Sequence, residues 1–227
     1  MNERAHRFVR ACARKETICK FECTVFFCAP HQGETTSSDH ASPPKLLPPR
    51  AMFRKYHVEN VQQLKSSVQR GIRTKISDQY PNLDDVLDDL IPKKSTMVLG
   101  KCADKVCVVL VDDEPLFFNH RDGPYFPTLR VLHRYPDMMP KLRVDKGAIK
   151  FVISGANIMC PGLTSNGATI HDEVDEDEPV AIYAEGKEHA LAIGITKMST
   201  ADIKSVNKGI GVDLVHYLND GLWSSTA

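Results

Sequence analysis

Two lysines four residues apart, Lys146 and Lys150, stand inside "DKGAIKFVISGANIMCPGL", residues 145–163, a stretch punctuated by Gly147, Gly155 and Gly162. Ammonium groups at that spacing lie on one side of a helix, where both can pair with phosphates. Ile149, Val152 and Ile153 make an apolar face on a helix of about two turns, with Asp145 the expected N-cap and Gly155 the expected stop. A helix start offers free N–H groups to anions, and Gly147 and Gly155 would let a sugar-phosphate backbone come close. Contact with a phosphate backbone is one reading of this pattern, and two ordinary solvated lysines on a surface helix are the other.

Other candidate chemistries carry weaker signals. Cys19, Cys23, Cys28 and His31 could ligate zinc, but their gaps do not match the paired short spacings of ribbon or finger sites. Carboxylates at 173, 175 and 177 alternate as in calcium loops, without the central Gly or terminal Glu of an EF-hand, so a solvated loop is expected. His133, His171, His189 and His216 are dispersed. Nucleophile elbow, Walker loop, dinucleotide fingerprint and metal-hydrolase helix are all missing from the sequence, and the chain reads as a non-enzyme without cofactor or metal. A second basic set, Lys65, Arg70, Arg73 and Lys75, follows one face of a predicted helix, and Arg121 and Arg130 flank Tyr125 and Phe126 in "RDGPYFPTLR". These suit contact with ribosomal RNA or a protein partner; the alternatives are a solubilising helix face and an aromatic plug beneath a Pro-rich turn.

The elements that must position these residues can be read from periodicity. Val58, Val61, Leu64, Val68, Ile72 and Ile76 recur three or four apart and predict one long helix between His57 and Tyr80. Asn82 should cap a second helix that carries Asp84 and Asp85 in its first turn and ends near Pro92. "TMVLGKC", "KVCVVLVDD" and "EPLFFNH" read as strands, and Thr128 starts a helix through "LRVLHRY". Beyond Pro140, "VAIYAEG", "HALAIGITKM" and "VDLVHYL" read as strands, and "STADIKSVNKGIG" as a helix capped by Ser199 and ended by Gly209. Short strands with brief helices predict a small barrel or sandwich.

Composition sets the frame. Lys and Arg total 29, as do Asp and Glu, so any polyanion site must be a local patch. Residues 144–227 hold 6 basic and 12 acidic side chains, and the run 172–178 supplies the whole excess. No stretch approaches the roughly 20 apolar residues that span a bilayer. Cys102, Cys107 and Cys160 sit in apolar surroundings and read as small core residues in a reducing compartment. Residues 1–51, ending in the Ser-, Thr- and Pro-rich segment 32–50, are expected to be a disordered extension.

Residues 144–223, through "VDKGAIKFVISGANIMCPGL", "VAIYAEGKEHALAIGITKM" and "VHYLNDGLW", resemble a PUA domain, the small pseudo-barrel of RNA-modifying and ribosome-associated proteins. "FRKYHVENVQQLKSSVQRGIRTKISDQYP", "IPKK" and "LFFNHRDGPYFPTLRVLHRYP" extend the likeness over roughly 52–223, to the malignant-T-cell-amplified-sequence family of translation factors. The resemblance implies an α+β chain, with an N-terminal α/β domain at 52–140 and a PUA domain at 143–224. It assigns RNA contacts to Lys146, Gly147, Lys150, Ser154, Ala156, Asn157, Met159, Pro161 and Gly162. It further implies a cytoplasmic protein that pairs with a density-regulated-type partner and acts on tRNA at the small ribosomal subunit, in reinitiation and post-termination recycling. A PUA-type ribosome-assembly factor and a protein-interaction adaptor without RNA binding are the alternatives. The leader 1–51 and the acidic run depart from the family pattern.

Overall fold

Val106, Val108, Val109 and Val111 are β-branched and buried, and they form the middle of an antiparallel meander. The computed structural model describes residues 52–53, 56–93 and 95–225. The meander runs β1 (Val58–Gln63), β2 (Met97–Cys102), β3 (Val106–Val111), β4 (Glu114–His120) and β5 (Phe126–Pro127), in that order across the sheet. Helices α1 (Ser66–Gln79), α2 (Leu87–Leu90) and α3 (Leu129–Arg134) complete this half. The second half holds β6 (Lys141–Val144), α4 (Ile149–Ile153), β7 (Ile158–Met159), α5 (Pro161–Thr164), β8 (Thr169–Ile170), β9 (Pro179–Ala184), β10 (Ala192–Thr196), α6 (Thr200–Val206), β11 (Ile210–Tyr217) and α7 (Gly221–Ser225). Its sheet is ordered β7-β11-β10-β9-β6-β8, antiparallel except where β6 meets β9. The chain is therefore α+β, with a second half built mainly of β-strands.

Two apolar cores result. One lies wholly in the second half, around Leu142, Val152, Leu163 and Leu214. The other is shared: Phe53, Phe118 and Leu129 from the first half pack with Ile193, Val215 and Leu222 from the second. A β-bulge in β11 makes the sharing possible. Ile193 pairs with His216 and Gly194 with Leu214, which leaves Val215 unopposed. One extra residue reverses the alternation of side chains, so Val215 and His216 both turn to the first half while Tyr217 turns to the second core. The carbonyl freed at Val215 accepts from the Met52 N–H at 3.3 Å. Gly194 is required here, because a Cβ would stand 2.4 Å from Val212 Cγ1.

Several sequence expectations need correction. The long helix begins only at Ser66; Val58–Gln63 is an edge strand paired with β2, and Val61 and Val68 are exposed. Of the expected stripe, Val61 and Val68 face solvent, Leu64 packs at the margin of the core, and only Ile72 and Ile76 are buried. The second helix is reduced to a 3₁₀ turn, Pro81–Leu83, and the four residues of α2. Asn82 caps nothing; its Nδ2 donates to the Asp137 carbonyl at 2.9 Å. Helix α6 starts at Ser199, whose hydroxyl accepts from Asp202 N, but Asn207 at φ 46° ends it, two residues before Gly209. Asn tolerates the left-handed conformation, and here its Oδ1 accepts from Thr164 Oγ1 at 2.6 Å. Of the three cysteines expected in the core, Cys160 is buried and Cys102 and Cys107 are half-buried. Residues 1–51, with their cysteines, lie outside the described residues.

Phe53 meets Phe118 edge-on at 4.9 Å and His216 at 5.9 Å, so it closes the seam between the halves. Phe53→Ala should lower unfolding free energy by about 3–5 kcal/mol, read from denaturant titration of the full chain.

Candidate nucleic-acid interface

Asp145 Oδ2 accepts from Gly147 N at 3.1 Å and caps a 3₁₀ turn, Lys146–Ala148, that leads directly into α4. Val152 is buried on the inner side of α4, and Lys150 and Phe151 remain on the outer side. Gly155 at φ +77° turns the chain into β7, which pairs with β11 so that Ile158 faces the core and Met159 faces out. Between α4, β7 and the start of α5 lies a groove of about 1090 Å³. Eight of the nine expected residues line it: Lys146, Gly147, Lys150, Ala156, Asn157, Met159, Pro161 and Gly162. Ser154 does not; its Oγ donates back to the Phe151 carbonyl at 2.7 Å.

The groove is apolar with cationic edges. Phe151, 56% exposed, and Met159, 51% exposed, present bare hydrophobic surface to solvent. Lys150 Nζ lies 5.0 Å from the Phe151 ring centroid. Lys146 Nζ stands 3.6 Å from Glu185 Oε1, and both side chains are exposed. Such a pair contributes at most about 1 kcal/mol, so the lysine can exchange that partner for a phosphate. Aromatic faces that accept a base and ammonium groups that accept a phosphate together make a platform for single-stranded nucleic acid. Sequence reading omitted Phe151; the available signal was its position beside Lys150, off the buried phase of α4.

Gly147 and Asn157, which line the groove, and Gly155 between α4 and β7 also have internal roles. A Cβ on Gly147 would come within 2.9 Å of Asp145 Oδ2, so that glycine makes room for the cap. A Cβ on Gly155 would meet the Tyr217 ring at 2.7 Å, so that glycine makes room for an aromatic ring of β11. The helix start is no free anion site, because the Asp145 carboxylate already occupies it. Asn157 is a bracket: its Nδ2 donates to Asp213 Oδ1 at 2.7 Å and its Oδ1 accepts from Leu214 N at 3.2 Å. Asp213 is buried, and burial pushes its carboxyl pKa up against the opposing charge of Lys197, whose Nζ is 3.5 Å from Oδ2.

The second basic set is divided. Lys65, Arg70 and Lys75 are exposed around α1. Arg73 turns inward and bonds the Ile91 carbonyl and Asp88. Arg121 is exposed, but Tyr125 and Phe126 are 7% and 1% exposed and form the aromatic plug, with Tyr80 Oη donating to the Tyr125 carbonyl at 2.7 Å. Their expected role as partner contacts is therefore corrected: the core holds both rings. Arg130 stacks over Trp223 at 4.7 Å. The acidic loop is pinned from beneath, where buried Val174 and Thr200 bond each other's main chain and Thr196 Oγ1 donates to the Asp175 carbonyl at 2.6 Å. Among the described residues, no three His, Cys, Asp or Glu side chains group as metal ligands, and no helix is long and apolar enough to cross a membrane.

A meander half joined to a PUA-type half with an apolar groove beside α4 defines a class. Residues 53–136 match the Pre-PUA-like domain and residues 140–218 match the PUA domain. The solved structure of a hypothetical protein from Pyrococcus horikoshii is similar, with a TM-score of 0.61 and 25% identity over 74% of this chain and all of that one. A PUA domain protein from Thermoplasma acidophilum shares the fold at a TM-score of 0.55 and 14% identity, over 74% of this chain and all of that one. Malignant T-cell-amplified sequence 1 of Danio rerio is 53% identical over 176 residues, covering 76% of this chain and 97% of the relative. The Dictyostelium discoideum homolog is 54% identical over 163 residues, covering 72% and 90% respectively. The chain belongs to the malignant T-cell-amplified sequence family. Membership of this family together with a PUA domain fits an RNA-binding, translation-related protein.

Two outcomes follow from this geometry. Gly155→Ala should destabilise the protein by more than about 1 kcal/mol, since it adds left-handed strain to the Tyr217 clash, and thermal unfolding will measure it. A carboxyl whose pKa is higher folded than unfolded loses stability as pH rises from its unfolded value through its folded one. Wild type should therefore lose stability over that window above about pH 4, and Asp213→Asn should flatten this component while keeping an oxygen for Asn157, as denaturant titrations across pH will show.

Proposed function

We propose that the protein is a positioning factor that holds the single-stranded 3′ end of tRNA in the α4–β7 groove while its first half contacts the small ribosomal subunit. The observation that carries this reading is Phe151, an exposed aromatic ring on the groove with Lys150 over it and Lys146 on the same rim. The ring offers a base-stacking face and the lysines meet the phosphates. Lys65, Arg70, Lys75 and Arg121 are the exposed cations available to ribosomal RNA. The likeness to the family further supports a density-regulated-type partner and action in the cytoplasm, in initiation, reinitiation and the release of tRNA after termination. An adaptor role without RNA binding draws on one observation, the pinned acidic loop, which repels phosphate.

Sedimentation of tagged protein through sucrose gradients, with mass spectrometry of what travels with it, tests the reading. Wild type should migrate with mature small subunits and a density-regulated-type protein, and Lys146→Glu with Lys150→Glu should weaken that migration. Phe151→Ala should cost about 1–3 kcal/mol of tRNA affinity and leave its salt dependence unchanged. Migration with large-subunit precursors would point to ribosome assembly, and absence from every particle to the adaptor.

A further inference from the structure

A second cavity lies where the halves meet, walled by Asn82, the segment Asp137–Pro140, Lys141 and Arg143 of β6, and His171 with Asp172, and it has a volume of about 570 Å³. Strand alternation explains which side chains reach it. Leu142 and Val144 enter the core of the second half, so Lys141 and Arg143 project from the other face of β6, the face on which neighbouring Tyr183 joins the shared core. Most polar groups on these walls are engaged. Lys141 Nζ pairs with Asp137, Asp172 Oδ2 accepts from Lys141 N at 2.7 Å, and Asn82 Nδ2 donates to the Asp137 carbonyl. Arg143 differs: its Nε is buried and has no hydrogen-bond partner. Buried donors are almost always satisfied, by protein groups, ordered water or a bound ion, and Arg143 Nε has no acceptor within the chain.

We propose that Arg143 is a phosphate-binding residue, and that the junction cavity takes one backbone phosphate of the RNA held by the groove. A guanidinium is suited to this because it offers two parallel donors to a phosphate and keeps its charge when desolvated. Asp137 pairs with Lys141 and Asp172 accepts from the β6 main chain, whereas Arg143, which lines the cavity, has a buried Nε with no acceptor. Because Asn82 comes from the first half and Arg143 from the second, RNA seated here touches both halves at once. The proposal rests on the RNA-binding reading above, and the test separates the two.

Affinity of the full chain for labelled, unfractionated tRNA is measured over a series of salt concentrations for wild type, Arg143→Met, Arg143→Lys and the Lys146→Glu, Lys150→Glu pair. Loss of one phosphate contact reduces the slope of log affinity against log salt by about 0.7–0.9, which is about a five- to eightfold weakening at 0.1 M. Arg143→Met should show that reduction, with a Tm unchanged or raised because an unsatisfied buried donor has been removed. Arg143→Lys should retain the slope and lose part of the affinity, since charge survives and the planar fork does not. An unchanged slope in Arg143→Met beside a reduced slope in the lysine pair would overturn the junction site and leave the groove reading standing. Unchanged slopes in both would remove both. A lowered Tm with an unchanged slope would make Arg143 a structural residue, and weakened binding of a protein partner alone would make the cavity a protein contact; either result overturns the proposal.

Discussion

The single bulge in β11 is the constraint on which the rest of the molecule depends. A strand without it would present alternate residues to alternate sides throughout, and His216 would point away from Phe53 and Phe118. With it, one strand serves two cores. Val215 and His216 hold the first half, and Tyr217, the next residue, lies under Gly155 at the turn between α4 and β7. Asp220 fixes the arrangement, since one of its oxygens accepts from Tyr217 N and lies 2.6 Å from His216 Nδ1 while the other accepts from Trp223 N and caps α7. The groove and the seam are thus adjacent readings of the same backbone.

The legible parts of the fold were those whose local chemistry has one solution. The Val- and Leu-bearing strands β2 and β3, the cap at Ser199 and the stop at Gly155 formed where expected, because burial, hydroxyl capping and positive φ leave few alternatives. Residues 58–64 were misread because Val58, Val61 and Leu64 continue the helical spacing of the residues after them, and the deciding fact is remote: Val58 packs against the face of Gly100 on β2. Asn207 preceded Gly209 as the helix stop for a similar reason, since its partner Thr164 lies 43 residues away in sequence.

The candidate site was legible in outline and not in its division of labour. Lysine spacing and glycines marked the stretch 145–163, because those features are local, and the family resemblance placed a groove there. What Gly147, Gly155 and Asn157 do was hidden, since their reasons are Asp145, Tyr217 and Asp213, and only folding brings the last two near. Tyr125 and Phe126 show the converse. Their sequence neighbourhood of arginines and prolines suits an exposed contact, yet Tyr80 and Gln79, some 46 residues earlier, bind the main chain at Tyr125 and the core encloses both rings.

The pinned acidic loop has a consequence for motion. Thr196 and Thr200 hold its main chain from below, so its exposed carboxylates stay at one place on the surface, and none of these acids lines the α4–β7 groove. A rigid body with cations on one feature and fixed anions on another carries a permanent electric moment. Within the roughly 8 Å reach of unscreened charge at physiological salt, the field of a polyanionic surface exerts a torque on that moment as well as a pull. A molecule so charged would turn before contact, with its cationic groups toward such a surface.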